Sequence, residues 1–365
     1  MLRYLEIKAK LRELVISLPP GARLPSRTIL VKRLQTTRTT LDKAFADLEK
    51  EGVIISRKGS GTYAADPLAG TLPQAENWGV MVPSISESIY SGMIRGIERF
   101  TEARGINIVV CGSDKSKEQQ SYNIFRLMNS VVCGFIIVPV VSTSIEETYN
   151  TYQHLISSRI PFVFCNRPVE GINVPAVVSN DFYGGYMATK HLIERGYRHI
   201  TYIARHRHST SINRYQGYAS ALQENGLTPD SALVMMEGGQ NDEELYLSCH
   251  RLLSSDVPVD AIFCFNDYTA LVVYRCIRDL GKRVSEDIGV IGYDSIEEGR
   301  LVEPQLTSVN YKSHEIGYKA AELLWSMLHG EGEQPDFPYY LFQPVIIENG
   351  SCQGPSHGSD RKESG

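Results

Sequence analysis

The chain has 365 residues, of which 42% are hydrophobic and 22% charged, an ordinary globular composition that is long enough for two or three domains with a substantial core. The net charge of −5 is unevenly spread: residues 1–68 hold 13 Lys+Arg against 7 Asp+Glu, a local +6 that leaves −11 for the rest, so a polyanionic partner is expected at the basic end. Seven cysteines without a CxxC pair argue against a disulfide framework, the first residues lack a signal-peptide stretch, and the longest apolar run, 131–141, is too short for a bilayer, so a cytoplasmic protein with no membrane role is expected.

The apolar positions Leu5, Leu11, Leu14 and Val15 predict a helix over 4–16, stopped by Pro19-Pro20-Gly21. Ser26 reads as the cap of a short helix to about Leu34, and Thr37 as the cap of a third that buries Leu41, Ala44, Phe45 and Leu48. Val53 to Arg57 and Thr62 to Ala64 read as a hairpin around the basic turn Lys58-Gly59-Ser60-Gly61. Three helices and a hairpin make a winged helix-turn-helix over 1–65, with a Pro/Gly-containing linker over 66–77. From Trp78 the pattern alternates. Strands are expected at 78–82, 106–111, 134–138, 161–165, 176–179, 199–203, 232–236, 260–265, 288–292 and 306–309, with helices such as 87–103, 181–195, 211–225, 266–280 and 312–328 between them. Buried strands alternating with helices imply an α/β domain of parallel sheets, and ten strands suit two subdomains better than one sheet. Residues 351–365, rich in Gly and Ser, read as a disordered tail.

Reading the major groove takes a helix with exposed residues at its N-terminal end, flanked by phosphate contacts. Arg38, Thr39, Thr40 and Lys43 occupy that end of the third helix; Ser26 and Thr37 mark helix N-termini suited to phosphate; Lys58, Gly59, Ser60 and Gly61 form the wing. The strings Gly21-Ala22-Arg23-Leu24-Pro25-Ser26, Thr37-Arg38-Thr39-Thr40-Leu41, Leu48-Glu49-Lys50-Glu51-Gly52 and Gly59-Ser60-Gly61-Thr62-Tyr63 resemble the GntR family of winged-helix regulators over about residues 4–64. The resemblance implies operator binding as a homodimer. Members usually carry Glu-Arg after Leu-Pro-Ser; here the pair is Arg27-Thr28, and Arg27 is the expected substitute contact.

In the larger domain, polar groups follow several apolar strands: Glu87 and Tyr90, Asn166-Arg167, His208 with Thr210 and Arg214, Asn266-Asp267, and Tyr293-Asp294. Such convergence at strand ends suits a small-ligand crevice. For Asn266 a helix cap is an equal local reading, and His206 and His208 lack a third ligand for a metal site. Phe182 to Ala188, His191 to Ile200, Arg214 to Tyr218, Phe263 to Asp267, Ile291 to Asp294 and Leu306 to Val309 resemble the LacI effector domain, covering about 77–349. The resemblance implies a periplasmic-binding-protein-like domain over 78–350, with one subdomain at about 78–179 and 311–330 and the other at about 180–309 and 331–350. It also implies Arg214 and Asp294 as charged anchors, Thr210, Asn266 and His208 as hydrogen-bonding groups, and Tyr90 as an aromatic wall. Gln240 stands where the family often has a second aromatic residue, Asn166 where an Asp usually precedes Arg167, and Ser179 where another Asp is common. Together the two resemblances imply a repressor of carbohydrate-utilisation genes controlled by a small sugar, arabinose first among the monosaccharides. No cofactor is implied. The alternatives are a doubly wound α/β enzyme or a cytoplasmic sugar-binding protein without a DNA role; against the enzyme, Val82-Pro83-Ser84-Ile85-Ser86 offers no Gly-rich turn, and no GxSxG, HExxH or Walker motif occurs.

Overall fold

The computed structural model describes residues 2–19, 21–57, 60–65, 76–130, 132–140, 145–330 and 339–355. The chain forms two compact units, Met1–Ala75 and Glu76–Gly365.

The first unit contains α1 (Leu2–Ile16), α2 (Arg27–Arg33), α3 (Arg38–Lys50), β1 (Ile54–Arg57) and β2 (Gly61–Ala64). Ser26 and Thr37 start α2 and α3 by accepting the N–H groups of Ile29 and Thr40, so two of the otherwise orphaned helix donors are satisfied. Leu11, Val15, Leu30, Leu41, Phe45, Leu48 and Ile54 are buried together and make a core at the spacing read from the sequence. The strands pair antiparallel from Ile54↔Ala64 to Arg57↔Gly61. Arg23 adds an isolated bridge to Tyr63, beside a 2.8 Å hydrogen bond from Leu24 N–H to Thr62 O, so a short third segment braces the hairpin. Lys58 and Gly59, and most of the expected linker, lie outside the described residues.

The second unit holds two six-stranded sheets. In the first lobe β3 (Asn77–Val82), β4 (Asn107–Gly112), β5 (Val132–Ile137), β6 (Phe162–Asn166), β7 (Ala176–Ser179) and β13 (Tyr339–Phe342) lie in the order β13-β7-β6-β5-β3-β4, all parallel. In the second lobe β8 (Ile200–Ile203), β9 (Val234–Met235), β10 (Ala261–Cys264), β11 (Gly289–Tyr293), β12 (Thr307–Asn310) and β14 (Val345–Ile347) lie in the order β14-β12-β11-β10-β8-β9, with only β14 antiparallel to its neighbour. The helices between them are α4 (Ser88–Glu102), α5 (Lys117–Met128), α6 (Ile145–Ser157), α7 (Asp181–Glu194), α8 (Ser209–Glu224), α9 (Asp242–Leu253), α10 (Asp267–Asp279) and α11 (Ser313–His329). Strands such as β6 and β11 are buried along their whole length, as parallel strands covered on both faces must be.

Each lobe is closed on one side by a helix pair that touches backbone to backbone. A methyl group on Gly185 would lie 2.1 Å from the carbonyl oxygen of Arg214, and one on Gly217 2.0 Å from that of Phe182, so α7 and α8 approach only because both positions lack a side chain. Gly96 and Gly317 do the same for α4 and α11 in the first lobe, against His314 and Met93. The chain passes between lobes at 179–181, 310–313 and 342–345, and Asn180 N–H is bonded to Phe342 O at 2.9 Å across two of these passages.

Two sequence-based boundaries need correction. Residues 331–350 were expected wholly in the second subdomain, but β13 pairs with β7 in the first lobe and only β14 returns to the second. Two strands of four and three residues, both half exposed, carry too little apolar pattern to declare a sheet. The tail was expected to begin at 351, yet Ser351 and Cys352 are buried. Ser351 Oγ accepts Thr307 N–H, and Val290 N–H donates to the Ser351 carbonyl. Polar composition hid these residues because their hydrogen-bond partners lie far away in sequence.

Candidate functional site

Six strands of the two lobes end around one polar crevice. Tyr90 follows β3, Asn166-Arg167 ends β6, His208 to Arg214 follows β8, Asn266 follows β10, Asp294 follows β11 and Tyr311 follows β12. Ser88, at the start of α4 in the first lobe, receives its N–H bond partner from the second: Tyr268 Oη accepts at 3.0 Å, and Ser88 Oγ donates to both carboxylate oxygens of Glu298 at 2.9 and 3.0 Å. These bonds clasp the two lobes to one another.

Arg214 is its fixed point. It is 3% exposed, and Nε bonds Asp181 at 2.8 Å while Nη1 bonds the carbonyl of Phe265 at 2.6 Å. Asp294 Oδ1 lies 3.8 Å away. The guanidinium carbon lies 3.4 Å from the centre of the Tyr293 ring and 4.5 Å from that of Phe265, contacts that suit a planar, delocalised cation. Burial opposes its charge, but Asp181, Tyr293 and Asp294 outweigh that and keep it protonated.

Two backbone outliers aim side chains into this space. Asn166 has φ 69° inside a three-residue turn closed by Arg167 N–H to Cys165 O at 2.7 Å, and Asp294 has φ 104°. Asp294 is held there by Asp267, which is fully buried; its Oδ2 accepts Ile296 N–H and its Oδ1 accepts the Ser308 hydroxyl. A side chain on Gly292 would strike Asp267 Oδ1 at 2.0 Å, which explains the glycine in Ile291-Gly292-Tyr293-Asp294. Burial raises the Asp294 carboxyl well above the usual range, against the pull of Arg214.

His208 caps α8. Ser211 N–H can only donate, so Nδ1 accepts it, takes the Thr210 hydroxyl at 2.8 Å as a second donor, and leaves the proton on Nε2. Burial, with Arg167 and Arg214 nearby, pushes this imidazole down to about 3. Burial likewise pushes Tyr90 up to about 12, opposed by Arg167. These mutual influences place Tyr90, Arg167, His208, Arg214 and Asp294 together. Three buried atoms among them and their neighbour have no hydrogen-bond partner among the described residues: Arg167 Nε, Asp294 Oδ1 and Tyr311 Oη. A crevice whose buried polar atoms are left open is built for polar groups supplied from outside.

Other expected residues stand differently. Glu87 is paired with Lys115 at 2.7 Å. Asn266 caps α10 through Thr269 N–H, so the local alternative holds for its carbonyl oxygen. Gln240 is exposed on the loop before α9, its N–H bonded to Glu244 Oε2. Sequence reasoning missed Asp181, Tyr311 and the Tyr268–Ser88–Glu298 clasp. Tyr311 was findable, since it follows β12 as Asp294 follows β11. Two surface hollows, one lined by Leu155, Pro161 and Met327 and the other by Phe125, Thr151 and His154, lie on the first lobe and include none of these residues.

In the first unit, Arg38 is exposed at the start of α3, 3.9 Å from Asp42. Asp42 also holds Arg27 at 2.9 Å, and the Arg27 guanidinium lies over Phe45. Thr39 is exposed, Thr40 bonds the Thr37 hydroxyl, and Lys43 is drawn over the Tyr4 ring of α1 at 4.9 Å. Ser60 Oγ and Tyr63 Oη are bonded at 2.6 Å in the wing, where Gly61 has φ 124° and room for a side chain is taken by Arg23.

A winged-helix unit and a two-lobed receptor unit on one chain define a ligand-responsive DNA-binding regulator. The gntR family of bacterial regulatory proteins matches residues 3–64, and the periplasmic binding protein-like domain matches residues 189–352. The HTH-type transcriptional repressor PurR of Vibrio atlanticus is 30% identical over 75% of this chain and 80% of its own length. The arabinose metabolism transcriptional repressor of Geobacillus stearothermophilus is 25% identical over 96% of this chain and 98% of its own. A LacI family regulator from Enterococcus faecium, solved with bound ribose, superposes with a TM-score of 0.64 at 27% identity, covering 76% of this chain and 98% of that one. The chain belongs to the bacterial transcription repressors with a LacI-type receptor domain, here joined to a GntR-type DNA-binding head. Among the described residues, no helix is long and apolar enough to cross a membrane.

Proposed function

We propose that this protein is a cytoplasmic, homodimeric operator-binding repressor that leaves DNA when a monosaccharide-sized effector occupies the crevice. It acts by binding and not by catalysis. The observation that carries the reading is the set of open buried atoms, Arg167 Nε, Asp294 Oδ1 and Tyr311 Oη, at the ends of strands from both lobes. A polyhydroxylated ligand supplies donors and acceptors to all three at once and stacks on Tyr90. Binding across both lobes stabilises the closed arrangement, and rotation about the three passages changes the spacing of the two DNA-binding heads in a dimer. The likeness to a ribose-bound regulator and to arabinose repressors supports a sugar as the effector class.

On the DNA side, α3 enters the major groove with Arg38, Thr39 and Thr40. Arg27 contributes after release from Asp42, Lys43 takes a peripheral phosphate, and the N-termini at Ser26 and Thr37 together with the wing at 58–61 meet the backbone. The test is an electrophoretic shift of the gene's upstream DNA, with and without a panel of sugars. A shift that one of the sugars reverses is the expected result; no shift at any protein concentration refutes the reading.

A further inference from the structure

The charges of the crevice are not matched pair by pair. Arg214 faces two carboxylates, Asp181 at 2.8 Å and Asp294 at 3.8 Å. Arg167 faces none: no carboxylate lies within ion-pair distance of it among the described residues, and its Nε is buried without a partner. The residue that could neutralise it, immediately before it in the turn, is Asn166, buried and uncharged. Lys115 and Glu87 at the lip cancel each other, as do Arg205 and Asp242. Asp294 is drawn to Arg214 alone, while burial and the like charges of Asp267, Asp181 and Glu87 oppose its ionisation, so it offers Arg167 little counter-charge.

The hydrogen-bonding inventory leans the same way. Arg167 offers only donors. His208 has its acceptor nitrogen occupied by Ser211 N–H and presents Nε2–H. Tyr90 and Tyr311 each carry a phenol that burial keeps protonated. Against these stands Asp294 Oδ1, a buried carboxyl oxygen with no hydrogen bond, 3.8 Å from Arg214 Nη1. A neutral sugar hydroxyl facing Arg167 would leave a half-buried guanidinium, whose Nε is buried without a partner, with no counter-charge among the described residues. A ligand with an anionic oxygen cluster supplies the counter-charge and accepts several of these donors at once.

We propose that the effector is an acidic monosaccharide, whose anionic group pairs with Arg167 while its hydroxyls bridge Asp294 and Tyr311. This rests on the reading of the crevice as a sugar site. A carboxylate and a phosphate share the required chemistry, and the probes separate them. Isothermal titration of the full-length protein with D-galacturonate, D-gluconate and D-glucose 6-phosphate, against L-arabinose and D-galactose, reads the preference directly. The expected result is that one of the three acidic probes binds at least tenfold more tightly than either neutral sugar, with an affinity that falls as salt rises. Arg167→Gln then weakens the acidic probe by about 10- to 150-fold, the range for a hydrogen bond to a charged group. Asn166→Asp restores an internal counter-charge without removing the arginine. It weakens the acidic probe at least tenfold and leaves the neutral sugars no weaker. A cooperative melt within a few degrees of the parent checks that both variants are folded. Tight binding of arabinose or galactose with weak binding of all three acids overturns the proposal and leaves the sugar reading standing. Equal affinity of acid and neutral partner also overturns it. Failure of all five probes to bind refutes the sugar reading of the crevice, and the proposal with it.

Discussion

Replacing Arg214 by Ala removes the one cation shared by Asp181 and Asp294, together with a hydrogen bond to the Phe265 carbonyl and stacking on Tyr293. The LacI resemblance implied Arg214 as a charged anchor, whose loss would abolish effector response and leave operator binding intact. In the structure Arg214 also compensates the buried carboxyl groups of Asp181 and Asp294. Breaking a buried pair by removing one partner costs about 3–5 kcal/mol. For a unit of this size each kcal/mol lowers the melting temperature by roughly 2–4 °C, so a fall of about 6–20 °C is expected along with loss of effector binding. The control is Arg195→Ala, which breaks a more exposed pair with Glu348 at 2.6 Å and should cost no more than about 1 kcal/mol. Circular dichroism melts of the parent and both variants decide the matter. A melting temperature for Arg214→Ala within about 2 °C of the parent, or equal to that of Arg195→Ala, would show that the Arg214 network contributes no net stability.

Gly217→Ala places a methyl group 2.0 Å from the carbonyl oxygen of Phe182, so α7 and α8 must separate; the expected cost is about 1–3 kcal/mol, read as a lower urea midpoint, and an unchanged midpoint refutes the close-approach argument. His208 is held neutral to about pH 3, below its ordinary value of 6.5, so its contribution is whole above pH 6.5 and is lost as pH falls from there toward 3. Urea unfolding at pH 7, 6, 5 and 4 should show a loss approaching about 1.4 kcal/mol per pH unit from this group, which His208→Gln removes; parallel pH profiles for the two proteins would contradict the assignment. Asp42→Ala frees Arg27 and Arg38 from their shared carboxylate, and the salt dependence of DNA binding should steepen by about one phosphate contact. Arg38→Ala should weaken operator binding by about 1–3 kcal/mol and leave non-specific binding less affected; equal losses on both DNAs would place Arg38 on a phosphate instead.

Much of the architecture was legible because the relevant signals are local. The core positions Leu41, Ala44, Phe45 and Leu48 follow helical spacing, Ser26 and Thr37 are cap residues in sequence and in structure, and the buried parallel strands are short apolar runs between helices. The crevice was partly legible for the same reason, since a polar residue just past an apolar strand must lie at one edge of the sheet. Arg167 and Asp294 were singled out this way; Arg214, inside α8, was named as an anchor by the LacI resemblance. Gln240 was placed by family position alone, and it stands exposed on the loop before α9.

The amino-acid order by itself determined the elements, the division into a basic reader and an acidic receptor, and which strand ends carry polar groups. All of these depend on residues within a few positions of one another. Only the tertiary structure decided which charges meet: that Asp181 pairs with Arg214, that Asp42 restrains Arg27, that β13 and β14 part to opposite lobes, and that Arg167 has no carboxylate partner among the described residues. Ion pairing and desolvation depend on distances across the fold, between residues that sequence spacing does not relate.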